Sequence, residues 1–144
     1  MDRAFVARNE ALLARLVALV DSLSDADLGM QLDDGWRITA ALAHLAFWDR
    51  FAVRLLQQWS DRGYSHPGHD EQVINAAALA DWLAAPTEYV RQEVLRAAAA
   101  ADSTAAAVGD ALGEAIVAGD SRWALERHLH REEHIAQIER ALAG

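Results

Sequence analysis

Three of the chain's six histidines fall within one stretch, Arg122 to Leu142, which reads RWALERHLHREEHIAQIERAL. His130 and His134 are spaced i, i+4, and at about 3.6 residues per turn a helix sets such a pair one above the other on a single face. Two stacked imidazoles are half of a metal site. A third ligand has to come from elsewhere, and His44 is the one histidine inside another strongly apolar helical segment. On a helical wheel centred on His44, Ala40, Trp48, Phe51 and Leu55 all fall within about 40° of it, so His44 sits mid-stripe on a core-facing surface.

Each of these histidines also has a plainer reading. His44 alone fits a hydrogen-bonded core histidine, and an i, i+4 pair on a charged helix is often coincidence. Together they read differently, because a buried neutral imidazole needs partners and one cation satisfies all three. Three imidazoles without a thiolate suit Zn²⁺, Ni²⁺, Fe²⁺ or Cu²⁺. Three protein ligands leave positions open for water or substrate, as catalytic sites do. The pair is not a zincin motif, which needs Glu directly after the first histidine; here Arg131, Glu132 and Glu133 intervene.

With His130 at zero, Trp123 lies near 20° and His134 near 40°, which puts His134 on the core side and His130 at its edge. His128 falls about 160° away and cannot share their metal. Glu126 and Glu133, about 40° and 60° off on the opposite side, are candidates for orienting a ligand imidazole or moving a proton; solvated acidic side chains are the preferred reading. Trp48, Phe51 and Trp123 are candidates for a pocket wall, against the plainer reading of core aromatics.

The elements that must position these residues are helices. Residues 3–23 carry Phe5, Leu12, Leu13, Leu16, Leu19, Val20 and Leu23 at spacings of three and four, a first amphipathic helix. Ser24 with Asp27 reads as a capping box opening a short turn, before a loop at residues 33–36. A second helix is predicted over residues 38–61, ending at Arg62-Gly63. Tyr64 to Asp70 is a Pro-Gly loop in which His66 and His69 are expected to be exposed. A further helical pattern covers residues 71–84, Pro86 breaks it, and a third long helix follows to about Val108. A short helix is expected over residues 111–119. The last long helix should be capped by Asp120 or Ser121. Four long helices predict a four-helix bundle, whose interior is a usual place for metal ligands on facing helices.

Composition sets outer limits. At 144 residues, rich in alanine and with two prolines, the chain reads as a single all-α domain spanning residues 1–144. The net charge of −9, from 22 acidic and 13 basic residues with no lysine, argues against nucleic-acid binding. No apolar run approaches the roughly 20 residues that span a bilayer, and MDRAFVARNE lacks a signal-peptide h-region, so no membrane partner and a cytoplasmic location are expected. With no cysteine, the chain has no disulfide, thiolate ligand or thiol nucleophile of its own. Any sulfur chemistry must use a thiol from solution.

The segments GWRITAALAHLAFWDR and, far downstream, HREEHIAQIERAL resemble the DinB/YfiT-like superfamily of four-helix bundles, which includes thiol-dependent S-transferases and mycothiol-dependent maleylpyruvate isomerases. The resemblance covers nearly the whole chain. It implies a DinB-like bundle with short extra helices in the connections, commonly a homodimer, and a divalent metal held by one histidine of the second helix and an i, i+4 pair of the last. By position these ligands are His44, His130 and His134. Arg37 departs from the family pattern, which often has Ser or Thr after the tryptophan as a helix cap; this shifts the expected cap to Thr39.

The function this implies is a metal-dependent transferase that activates a low-molecular-weight thiol such as mycothiol or bacillithiol, with Zn or Ni the expected metal, for attack on a small-molecule electrophile. One alternative is a hydrolase in which the metal activates water. Another is a non-catalytic, stress-associated binding protein whose histidines merely pack. The outer part of the second helix, Trp59 and Trp82 are candidates for a subunit contact.

Overall fold

The computed structural model describes residues Met1–Gly144. The chain is all-helical: α1 (Ala4–Ser22), α2 (Asp25–Leu28), α3 (Ile38–Arg62), α4 (Glu71–Ala84), α5 (Thr87–Ala106), α6 (Asp110–Ala118) and α7 (Arg127–Ala143), with a 3₁₀ turn at Arg122–Ala124 and no strand. No helix is long and apolar enough to cross a membrane.

Most boundaries follow from local chemistry. The predicted capping box forms at α2, where the Ser24 hydroxyl accepts from the Asp27 amide at 3.1 Å and the Asp27 carboxylate accepts from the Ser24 amide at 2.9 Å. Asp70 caps α4 by accepting from the amides of Gln72 and Val73. Pro86 stands at the N-cap of α5, where its missing N–H costs nothing. Gly63, with φ 84°, ends α3 in a conformation that favours glycine.

Three expectations are corrected. Thr39 does not cap α3: it lies inside the helix, its hydroxyl buried without a partner, and Arg37 occupies the cap position with no side-chain bond. The last helix starts later than the pattern suggested. The Ser121 hydroxyl is engaged by the Tyr64 hydroxyl at 2.9 Å instead of capping, and Trp123 sits in the 3₁₀ turn ahead of α7. Trp59 and Trp82 are buried, so neither is surface for a subunit contact.

Helix α3 packs along α5, α1 packs along α7 and α5, and α4 lies on α3. Alanines at 40, 41, 46 and 52 on α3 and at 97, 98, 101 and 105 on α5 are buried, and small side chains let two helices approach closely. The apolar interior is in two parts. One contains Leu16, Leu42, Leu45, Val94 and Ile135; the other contains Phe5, Leu56, Trp59, Ile116 and Leu125.

A polar layer lies between them in sequence on these four helices: buried Asn9 on α1, buried Asp49 on α3, half-buried Asp102 on α5, and buried Arg127, His128 and Arg131 on α7. Arg131 is fully enclosed. It donates to both Asp102 carboxylate oxygens at 2.9 and 2.7 Å, to Asp49 at 3.5 Å and to the Ala98 carbonyl at 3.1 Å. Two arginines face two aspartates, so the layer is formally neutral. A buried charge survives in this way, paired and hydrogen-bonded.

Candidate metal centre

The three sequence-predicted ligands meet. His44 projects from α3 toward His130 and His134 on α7, with ring centroids 4.8 to 4.9 Å apart in all three pairings. The closest nitrogens, His44 Nε2 and His130 Nε2, are 2.9 Å apart, and one ligating nitrogen from each residue lies within 4.8 Å of the others. A tetrahedral ion with Zn–N bonds of about 2.0–2.1 Å would separate its ligand nitrogens by roughly 3.3 Å. The observed spacings bracket that value, so the donor set fits a divalent ion.

His44 is only 5% exposed. The edges of Trp36 and Trp82 flank its ring at 5.2 and 5.0 Å, and its Nδ1 is buried with no hydrogen-bond partner. Burial, followed by the proximity of the His134 ring and of the Arg127 guanidinium, lowers its pKa to about 3. Burial also holds His130 far below the usual histidine range, reinforced by His134 and Arg127. Both are therefore neutral near pH 7, the form that ligates metal without first losing a proton. His130 and His134 are both half-buried, so the expected contrast between an edge and a core histidine is not found.

The histidines open onto a cavity of about 450 Å³, whose walls include Trp36, Trp48, Trp123 and Leu129 and whose polar lining includes Asn75, Arg127, Asp34, Glu71 and Glu133. Arg127 is buried. Its Nε donates to Asp49 at 2.8 Å and its Nη1 to the Trp123 carbonyl at 3.0 Å, while Nη2 stands 3.5 Å from His130 Nδ1. Of the aromatic candidates, Trp48 and Trp123 line the cavity, whereas Phe51 does not and packs tilted against both of them.

The carboxylates singled out from the sequence do not touch the imidazoles. Glu126 pairs with Arg122 at 3.9 Å, and Glu133 is exposed on the lining of the cavity. Gln137 reaches a candidate ligand instead: its Oε1 is 3.1 Å from His134 Nδ1. The available signal was its place three residues after His134, on the same helical face. His128 turns away to α1, where Asn9 Oδ1 receives its backbone amide at 2.9 Å and its Nδ1 at 3.0 Å. His66 is exposed as expected. His69 is not: its ring is half-buried 4.9 to 5.5 Å from the rings of Phe51, Trp48 and Trp123, which the Pro-Gly signal could not reveal.

No protein-family model, curated protein or solved structure matches this chain.

Proposed function

We propose that the chain is a divalent-metal-dependent enzyme of the DinB-like type, a four-helix bundle of α1, α3, α5 and α7, that transfers a low-molecular-weight thiol to a small electrophile. The observation that carries this reading is the convergence of His44, His130 and His134 at a cavity with tryptophan walls and no protein thiol. The sequence resemblance alone supports the bundle type and homodimerisation.

His44, His130 and His134 would hold the ion, with Zn or Ni the metals that best suit three imidazoles. When bound, it supplies Lewis acidity that favours the thiolate form of a thiol. The chain's own residues do the rest. Trp36, Trp48 and Trp123 give an apolar substrate a surface and displace water from the imidazoles. Arg127, neutralised by Asp49, places a paired cation on the cavity lining beside His130. The carboxylate oxygens of Asp34, Glu71 and Glu133 are the bases on the cavity lining that can take the proton a thiol releases.

Cobalt substitution tests the reading. Adding cysteine, glutathione, mycothiol or bacillithiol to the Co²⁺-loaded protein should produce a sulfur-to-metal charge-transfer band, absent in His134→Ala. If none of these thiols changes the spectrum, the transferase assignment fails. Turnover of a small ester or amide in thiol-free buffer would place the chain among hydrolases instead.

A further inference from the structure

We infer that Gln137, held by Asp33 and Asp34, is the positioning residue that fixes which nitrogen of His134 faces the metal centre. The inference rests on the metal-site reading above.

Gln137 Nε2 lies 3.1 Å from Asp33 Oδ1 and 3.0 Å from Asp34 Oδ2. Ionised carboxylates only accept hydrogen bonds, so the amide end that meets both of them must be the NH₂ group. The two acceptors together fix the orientation of the amide. The Gln137 oxygen therefore faces His134 Nδ1, 3.1 Å away, and an oxygen can only accept. His134 Nδ1 must carry a proton, so in the neutral ring the lone pair is on Nε2. A metal ligand needs that tautomer, and its other ring nitrogen ordinarily donates to an oxygen in this way.

The turn that holds Gln137 is itself tightly built. Gly35, at φ 85°, takes a backbone conformation that suits glycine; the Leu32 carbonyl accepts from the Gly35 amide at 3.0 Å, and Asp34 Oδ1 accepts from the Trp36 amide at 2.9 Å. The same turn sets Trp36 edge-on to His44 at 5.2 Å and leads directly into α3. One short segment thus braces a ligand on α3 through Trp36 and a ligand on α7 through Gln137, some 100 residues further along the chain.

The test compares wild type with Gln137→Met and with the double variant Asp33→Ala/Asp34→Ala. The imidazole nitrogen chemical shifts of the metal-free proteins report which nitrogen of His134 is protonated, and zinc affinity is measured against a competing chelator. Wild-type His134 should be protonated at Nδ1. Both variants should populate the Nε2-protonated form, with zinc affinity about 10–100-fold weaker and helical circular dichroism unchanged. If one variant does not fold, the other decides. A wild-type His134 protonated at Nε2, or variants that keep the Nδ1 proton, would overturn the inference. If wild type binds no zinc, the metal reading fails, while the tautomer comparison still decides the role of Gln137.

Discussion

Arg127 Nε and Asp49 Oδ1 form a buried ion pair of 2.8 Å that ties α7 to α3, the two helices that carry the three candidate ligands His44, His130 and His134. His130 is three residues from Arg127, and His44 is five residues from Asp49. Sliding α7 along α3 by one turn, about 5.4 Å, would break the pair and separate the histidines together. The ion pair and the candidate metal centre thus depend on the same register.

Asp49 accepts from both buried arginines, so removing it leaves two guanidinium groups enclosed with one carboxylate partner between them. Asp49→Ala should lower stability by about 3–5 kcal/mol, the usual range when one partner of a buried pair is deleted. Urea denaturation of the metal-free protein measures this. A loss below about 1 kcal/mol, the range of exposed pairs, would mean that water reaches the layer.

Asn9 should be nearly as sensitive. Its Nδ2 donates to the Leu125 carbonyl at 2.8 Å, which fixes its oxygen toward the His128 amide and ring at the start of α7. The last helix is therefore capped from α1, 119 residues away, and no local residue supplies the acceptor. Asn9→Leu keeps the volume and strands those groups in the interior, at a cost of about 1–3 kcal/mol for each buried group left unpaired. The drop in midpoint should exceed that of Asn75→Leu, since Asn75 lines the open cavity.

This capping explains which parts of the molecule were legible from the sequence. Helical periodicity depends on neighbours three and four residues apart, and it located the helices and the face shared by His130 and His134. Arg131 lies in a charged run, HREEH, that carries no local sign of burial. Its burial depends on Asp102 and Asp49, 29 and 82 residues away, which no local pattern encodes. The start of α7 was misplaced for the same reason, because its cap is Asn9. Gln137 gives little signal of its own, because what orients its amide is Asp33 and Asp34, 104 and 103 residues away in the chain.

The metal content of the purified, untagged protein bears directly on the three histidines. Wild type dialysed against clean buffer should retain about one divalent ion per chain, and His44→Ala, His130→Ala and His134→Ala should each lose it, since two imidazoles are too few for a tight site. His128→Ala should keep the ion, because its ring bonds to Asn9 on another face. An absence of metal in wild type after exposure to Zn²⁺ and Ni²⁺ would remove the chemistry proposed here.

Acid should destabilise the metal-free protein through the same histidines. In the folded chain His44 titrates at about 3 and His130 is depressed as well, both chiefly by burial; unfolded, each titrates near 6.5. Below pH about 6.5 the unfolded chain takes up protons that the folded chain refuses, so stability falls as pH falls. The contribution is fully present above pH about 6.5 and is lost progressively toward pH about 3. Urea midpoints of chelator-treated protein at pH about 7.5 and about 4.5 measure the slope. The double variant His44→Gln/His130→Gln removes both titrations and should flatten it; an equally steep fall in that variant would rule out these two histidines as the source of the acid sensitivity.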